Sequence, residues 1–195
     1  MEESKKYRKF LSQLIADKFF VYGNHAKNAL TFHGIPEKPL VISGSPRYDI
    51  LFNEIKNTEE KYIILMGSAL PSTAFSHFLS NNVILEWEKM LTSVFVALKE
   101  LNEEIIIKRH PTRNGEIIDF KVLANKFLPG AKIYKNKNTY KLLSKSKLVV
   151  SMMSSTITEA IILNKPVVMP RHFNHDLGPP FAETNAVLTI DKPED

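Results

Sequence analysis

The chain has 195 residues, enough for one good-sized domain, and its 44% apolar and 24% charged residues suit a soluble protein with a packed core. It has no cysteine, which excludes disulfides and thiolate metal sites and fits a reducing compartment. The net charge of +5 favours anionic partners, but the basic residues are scattered and match no nucleic-acid-binding signature. No apolar run approaches the ~18 residues that span a bilayer, and we expect a soluble, cytoplasmic protein.

The first 58 residues predict small elements rather than a complete domain. The elements are a helix over residues 3–16, an apolar run at 19–22, a helix from Asn24 to His33 and an extended segment at 40–42. Asn24 is the expected cap of the second helix, and Gly34 is expected to end it in the left-handed conformation. Residues 34–58 are predicted to form a linker.

From residue 59 the chain alternates apolar strands with helices. Strands are predicted at 62–66, 104–108, 131–134, 147–151, 166–169 and 187–190, and helices at 83–101, 116–128, 139–144 and 155–163. Because each strand is almost wholly apolar, the pattern predicts a parallel sheet covered on both faces. This is a Rossmann-like doubly wound α/β fold, in which ligands sit beyond the carboxyl ends of the strands.

Residues 147–170 form the most informative segment of this domain. It predicts a buried strand, a turn with Ser154, Ser155 and Thr156, a helix whose Glu159 points inward, and a second buried strand. Such a unit places hydroxyl groups and a positive helix end where phosphates bind, and the carboxylate could hold sugar hydroxyls. Thr156 and Glu159 also have the spacing of a capping box, and this segment alone leaves both interpretations open.

Two further polar segments fall at the same edge of the predicted sheet. Gly67 and Ser68 follow one strand, and Arg109, His110 and a proline follow the next. A histidine at such a place can also serve only to fix the strand end. Gly67 and Ser68 lack the glycine-rich pattern of a P-loop or dinucleotide site, which disfavours ATP and NAD chemistry.

Two other kinds of site are disfavoured by the sequence. His172, His175 and Asp176 have a spacing that invites a metal, but they lie in a proline-rich loop, and we expect no metal. Ser154 lacks the Gly-x-Ser-x-Gly elbow of a covalent nucleophile.

Several motifs resemble those of GT-B glycosyltransferases that make capsule polysaccharide and teichoic acid. They are Phe20–Gly23 with His33–Pro36, the "GSPR-x-D" element Gly44-Ser-Pro-Arg-Tyr-Asp49, the "HP" motif Lys108-Arg-His-Pro111, and Ser154–Ala160 followed by Lys165–Val168. UDP-N-acetylglucosamine 2-epimerases have a similar strand–helix–strand with glycines in the turn, whereas this chain has serines. The resemblance, to capsule polysaccharide and CDP-glycerol glycerophosphotransferase-like proteins, implies the carboxy-terminal (donor-binding) half of a GT-B architecture.

This resemblance implies a division of the chain and a set of partners. Residues 1–58 would be a remnant of the amino-terminal domain plus a linker, and residues 59–195 a donor-binding domain truncated at its end. The donor, a substrate rather than a cofactor, would be a nucleotide-sugar or CDP-alditol. Further partners would be the missing amino-terminal GT-B domain and an anionic polymer acceptor or the inner membrane surface, where the protein would be peripheral.

The resemblance also implies roles for the residues that match the motifs. His110 would contact the donor phosphate or assist its departure, with Arg109 beside it. The hydroxyls of Ser154, Ser155 and Thr156 would bind phosphate oxygens together with the helix N-terminus.

The remaining roles concern the sugar, the base and the backbone. Glu159 would accept hydrogen bonds from a ribose or sugar diol. Gly67 and Ser68 would let the backbone approach the phosphates, and Arg171 and His172 would face the base or a phosphate.

The expected function is donor binding in a transferase for cell-surface polysaccharide, with glycosyltransferase activity when the architecture is complete. This chain alone would bind donor weakly and turn over nothing. Two alternatives stay open: a UDP-N-acetylglucosamine 2-epimerase-like isomerase, and a noncatalytic interaction domain on the same fold.

Overall fold

A computed structural model describes the protein in two compact units, Met1–Asp49 and Ile50–Asp195. The residues that it describes are 16–56, 58, 60–67, 81–111, 120–152, 154–170 and 185–190, without the side chains of 81–84. The predicted helix over residues 3–16 lies outside them except for its last residue. Within the described residues, no helix combines the length and the apolar character needed to cross a membrane.

The first unit contains two short strands and one helix. Its elements are β1 (Phe19–Val21), α1 (Asn24–Phe32), β2 (Leu40–Ile42) and a 3-10 turn (Pro46–Tyr48). The strands pair in parallel, with Phe19 opposite Leu40. Val21, Ile35 and Leu40 form a small buried cluster between the strands and the helix.

The sequence prediction is wrong for the N-cap of α1 and correct for the residue that ends the helix. Asn24 was the wrong cap, because Gly23 takes the N-cap position in an extended conformation and Asn24 is the first helical residue. Glycine is an accepted N-cap residue, and a sequence pattern does not separate two neighbouring candidates. Gly34 follows the helix with a φ of +96°, so the prediction of a left-handed residue there is confirmed.

The second unit is built on a six-stranded sheet. A short helix α2 (Asp49–Asn53) precedes it, and the strands are β3 (Tyr62–Met66), β4 (Ile105–Lys108), β5 (Lys132–Tyr134), β6 (Ser146–Ser151), β7 (Val167–Pro170) and β8 (Leu188–Ile190). The other helices are α3 (Asn81–Glu100), α4 (Phe120–Phe127), α5 (Thr139–Leu143) and α6 (Thr156–Ile162). The strand order is β5-β4-β3-β6-β7-β8, and every neighbouring pair is parallel. The predicted Rossmann-like fold is confirmed.

Helices α3 and α4 cover one face of this sheet. Successive residues of a strand point to opposite faces, and Ile63 and Leu65 belong to the same buried cluster as Phe95 of α3 and Phe120 of α4. The two phenylalanine rings meet edge to face, with centroids 6.0 Å apart. The apolar side of α3 thus forms part of the core on this face of the sheet.

Helix α5 lies on the opposite face. The hydroxyl of Tyr62, on β3, donates a hydrogen bond to the carbonyl of Leu142, on α5, over 2.9 Å. Burial raises the pKa of the Tyr62 phenol. These contacts tie the beginning of the central strand to the helix that precedes β6.

The strand order reverses direction at β3. From β3 the chain continues to β4 and β5 on one side, and then returns to place β6, β7 and β8 on the other. In open α/β sheets such a reversal leaves a crevice at the carboxyl edge, between the two strands that flank it. Here these strands are β3 and β6.

Strand β6 has one more residue than β3 where the two begin to pair. Tyr62 lies opposite Ser146, but Ile63 lies opposite Leu148, so Lys147 is the additional residue of a β-bulge. Beyond the bulge the pairing is regular and ends with Met66 opposite Ser151. The bulge thus turns Leu148 and every second residue after it towards α3 and α4.

Candidate functional site

Three of the predicted polar segments follow directly from neighbouring strand ends. Met66, the last residue of β3, pairs with Lys108 at the end of β4 and with Ser151 at the end of β6. The three strands therefore end side by side. The segments that follow them contain Gly67 after β3, Arg109 and His110 after β4, and the hydroxyl turn at Ser154 after β6. The structure brings these segments to the same edge, at the strand reversal.

The hydroxyl turn after β6 has an internal hydrogen-bond network. The Thr156 hydroxyl donates to Ser154 Oγ over 2.9 Å, and the Thr156 backbone N–H donates to the same oxygen over 3.3 Å. Ser151 Oγ lies 3.4 Å from Thr156 Oγ1. Ser154 and Thr156 are half-buried and Ser155 is exposed, so all three residues of the predicted phosphate site are at least partly exposed.

The beginning of α6 differs from the capping-box interpretation. The N-cap residue is Ser155, with φ −61° and ψ −17°, and it makes no side-chain capping bond. Thr156 is already the first helical residue, and its hydroxyl is bonded to Ser154. The capping box is therefore wrong, and the backbone N–H groups of Ile157 and Thr158 are bonded to the preceding carbonyls of the turn.

Glu159 points into the protein, as the sequence predicted. Its residue exposure is 1%, and it lies with Ile157 and Ala160 on the buried side of α6. A carboxylate at this depth is tolerated only with hydrogen-bond or charge partners. Its predicted role towards a sugar diol stays a prediction.

Gly67 and the segment after β4 are held by the ladder of the sheet. The Gly67 backbone N–H donates to the Lys108 carbonyl, and the Arg109 N–H donates to the Tyr134 carbonyl, each over 2.8 Å. The Gly67 N–H is therefore already used, and what this residue offers a ligand is the absence of a side chain. Arg109 and His110 are half-buried just beyond the last ladder bond.

Lys108 is a residue whose role the sequence did not predict. It is only 4% exposed, and its Nζ donates to the carbonyls of Arg109 over 3.0 Å and of Lys135 over 2.8 Å. The side chain thus joins the carboxyl ends of β4 and β5 and fixes the backbone that leads to His110. A lysine ending an otherwise apolar strand, directly before Arg109, was the signal available.

Three predicted site residues, Ser68, Arg171 and His172, lie outside the described residues. The disfavoured metal group of His172, His175 and Asp176 lies outside them too. In the part of the chain that the structure describes, no group of three or more His, Cys, Asp or Glu residues is arranged to hold a metal ion.

Comparison with protein families gives one assignment. The model of the LIC12162 family, described as a family of transferases, matches residues 3–188, which is nearly the whole chain. No curated protein is significantly similar to this chain.

Solved structures share the fold at low sequence identity. A UDP-GlcNAc 2-epimerase from Methanocaldococcus jannaschii, in complex with UDP-GlcNAc and UDP, has a TM-score of 0.58 and 17% identity over 92% of this chain and 52% of its own. The wall teichoic acid polymerase TagF has a TM-score of 0.52 and 14% identity, and the match covers 99% of this chain and 50% of the TagF chain. A TagF structure with CDPG has a TM-score of 0.50 and 14% identity, and the match covers 90% of this chain and 42% of the TagF chain.

These matches establish the fold as one half of a GT-B-like architecture. The chain spans about half the length of the solved structures that it matches. The sequence motifs had indicated this architecture, and the resemblance to teichoic-acid transferases is confirmed at the level of fold. The family model confirms that the chain resembles transferases.

Proposed function

Because the chain belongs to the LIC12162 family of transferases, we propose that its second unit binds the nucleotide-activated donor of a cell-surface polysaccharide transferase. The donor would be a nucleotide-sugar or a CDP-alditol. The observation that carries the proposal is the accessible hydroxyl turn at Ser154, Ser155 and Thr156, which lies where the strand order reverses. That is the place where α/β sheets bind ligands.

The hydroxyl turn suits the oxygens of a diphosphate. Ser155 occupies a capping position without using its hydroxyl for capping, and this hydroxyl makes no hydrogen bond to a described residue. The Thr156 hydroxyl is bonded to Ser154 Oγ, and rotation about its C–O bond would redirect the proton to a phosphate oxygen. Gly67, at the facing strand end, presents no side chain that would keep a phosphate away.

The segment after β4 would stabilise the departing phosphate. When the donor transfers its sugar or alditol, negative charge builds on the nucleotide phosphate that leaves. A guanidinium at Arg109 and a ring N–H of His110, held in place, would stabilise this charge without a covalent nucleophile. The Lys108 hydrogen bonds fix the backbone of this segment, so little reorganisation would be needed.

Glu159 would hold the diol of the ribose or sugar. Its burial strengthens each hydrogen bond that it accepts, because water does not compete for the carboxylate. Burial also makes Glu159→Gln the appropriate variant, since it keeps the size of the side chain and removes the charge.

Structural relatives support the class of donor. TagF has been solved with CDPG and the Methanocaldococcus epimerase with UDP-GlcNAc and UDP, so related folds hold nucleotide-linked ligands. The transferase family favours transfer over epimerisation. The complete enzyme would include an amino-terminal GT-B domain, and the net charge of +5 suits an anionic acceptor at the inner face of the membrane.

A thermal-shift panel tests this proposal. The protein is melted with millimolar UDP, CMP, CDP, GDP and their sugars, as wild type, Ser155→Ala, Glu159→Gln and the control Ser93→Ala on α3. A ligand at about 100 times its Kd stabilises the folded state by ~2.7 kcal/mol. We expect one nucleotide to raise the Tm of the wild type and of Ser93→Ala, and to act less on the two site variants.

The panel also distinguishes the alternatives. A nucleotide that stabilises all four proteins equally binds elsewhere, and this contradicts the proposed site. Conversion of free UDP-GlcNAc to its 2-epimer by the wild type would favour the isomerase over the transferase.

A further inference from the structure

A cavity lies on the face of the sheet opposite α3 and α4. Its volume is about 540 Å³, within the range of small-molecule sites. Tyr62 and Ile106 contribute to its floor, and α5 contributes Lys141 and Leu142 to a wall. None of the described residues of the carboxyl-edge site lines it.

The lining of this cavity is strongly basic. Glu104 is the acidic residue among those that line it. Five lysines also line it: Lys61, Lys132, Lys137, Lys141 and Lys145. Glu104 is already engaged, because Lys132 Nζ lies 2.7 Å from its Oε1. This hydrogen bond raises the pKa of Lys132 above its ordinary value.

Three of the lysines carry charge that the described residues do not balance. Lys137, Lys141 and Lys145 form no ion pair with any described residue. The Lys137 ammonium lies 3.5 Å from the centroid of the Tyr134 ring, and this contact keeps it at the cavity without neutralising it. The side-chain oxygen of Asn138 accepts the Lys141 backbone N–H over 3.0 Å, which leaves its amide group free to donate.

We propose that this cavity is a second anion site, which binds a ligand carrying at least two phosphate groups. Lysine ammonium groups bind phosphate as compact point charges, and three of them exceed what one phosphate group balances. Such chemistry has two sources: a nucleoside diphosphate, or a phosphodiester-linked oligomer. The proposal stands on the cavity and its charges, and is independent of the site at the strand reversal.

Calorimetric titration with inorganic tripolyphosphate, at low salt and pH 7.5, tests the site. The test variant is Lys141→Gln/Lys145→Gln, and the matched control is Lys89→Gln/Lys99→Gln, which removes the same charge from exposed positions on α3. We expect the test variant to bind about tenfold more weakly, since each exposed pair contributes a small factor. The control should stay within about twofold of the wild type.

Two further variants keep the test decisive. Lys137→Gln removes one lysine outside the helix and should weaken binding about threefold, even if the double variant folds poorly. Ser155→Ala removes the exposed hydroxyl of the donor site, so it separates binding there from binding in this cavity. The proposal would be overturned if the test and control double variants lost affinity for tripolyphosphate equally, or if the wild type did not bind it. A loss confined to Ser155→Ala would also overturn it, because that loss would assign the probe to the donor site instead.

Competition identifies the source of the phosphate groups. Bound tripolyphosphate is challenged with UDP and, separately, with a short glycerol-phosphate oligomer. Displacement that fails in Lys141→Gln/Lys145→Gln supports the site and names its ligand class. Displacement by neither competitor contradicts a phosphate-bearing ligand.

Discussion

The amino and carboxyl edges of the six-stranded sheet use similar polar residues in opposite ways. At the amino edge, the hydroxyl of buried Ser146 donates to the Leu143 carbonyl over 2.8 Å, and buried Lys165 pairs with Glu60 over 3.1 Å. At the carboxyl edge, Ser155 is exposed, and its hydroxyl makes no hydrogen bond to a described residue.

The difference separates polar groups that hold the fold from polar groups available to a ligand. A buried group whose partner lies within the protein contributes to stability, and its loss leaves that partner unsatisfied. An accessible hydroxyl contributes little to stability and can be kept for binding. Variants at the amino edge should therefore change unfolding, and variants at the carboxyl edge should change affinity.

The largest effect on stability is expected at Lys165. Its side chain is 1% exposed, so Lys165→Ala removes a buried aliphatic stem together with the ion pair to Glu60, and should cost ~2–3 kcal/mol in unfolding free energy. Lys165→Met keeps the stem and should cost ~1 kcal/mol or less, because half-exposed Glu60 can be hydrated. Urea denaturation measures both, and equal costs would show that the charge, not the stem, matters.

A smaller effect is expected at Tyr62. Tyr62→Phe removes the hydrogen bond to the Leu142 carbonyl and should cost ~1 kcal/mol at pH 7. Burial raises the folded-state pKa above the ordinary 10.0, so the unfolded chain loses its proton first and the wild type loses stability as pH rises above 10. Urea melts at pH 7 and above pH 10 measure the unfolding free energies of both proteins. The difference between wild type and Tyr62→Phe should be smaller above pH 10 than at pH 7. A constant difference would contradict the link to ionisation.

At the carboxyl edge, Ser154→Ala should separate stability from binding. The Ser154 hydroxyl accepts two hydrogen bonds from Thr156, but the turn is accessible to water, so the expected cost in unfolding is below ~1 kcal/mol. Nucleotide affinity should fall about fivefold, because one phosphate donor is lost. Calorimetry and urea melts on the same samples measure both quantities. A large loss of stability with unchanged affinity would place Ser154 with the residues that hold the fold.

The smallest effect is expected at the exposed pair of Lys132 and Glu104. Glu104→Gln should lower the pKa of Lys132 towards its ordinary value of 10.5, because the hydrogen bond to the carboxylate is what raises it. The change in stability should be within the error of a urea melt, since both side chains are about half exposed. Lysine NMR titration measures the pKa, and an unchanged value would mean that the pair does not persist in solution.

The fold was predictable because strand and helix patterns are local. Wholly apolar strands such as Tyr62–Met66 and the helical stripe through Trp87 and Phe95 identify a parallel sheet and its cover. The inward position of Glu159 was predicted from the same periodicity. The cap of α1 was missed because Gly23 and Asn24 are both acceptable there.

Features that depend on distant parts of the chain could not be predicted. The role of Lys108 requires the carbonyl of Lys135, which reaches it only after β4 and β5 have paired. The basic cavity gathers lysines between Lys61 and Lys145 that form no run in the sequence. In both cases the strand order decides which side chains meet.

The bulge at Lys147 has a consequence for insertions and deletions. With this additional residue, Ser146 lies opposite Tyr62, while Leu148, two positions on, lies opposite Ile63 and faces α3. Deleting Lys147 would join these two pairs into one regular ladder, whereas deleting a residue between Leu148 and Ser151 would turn the remaining apolar residues to the wrong face or slide the strand by one residue, ~3.3 Å. Sliding would draw the turn at Ser154 away from Gly67 by that distance, more than a hydrogen bond tolerates. The length of β6 from Leu148 to Ser151 thus sets the reach of the hydroxyl turn, and we expect tolerated length changes at Lys147 or in the loops on either side of the strand.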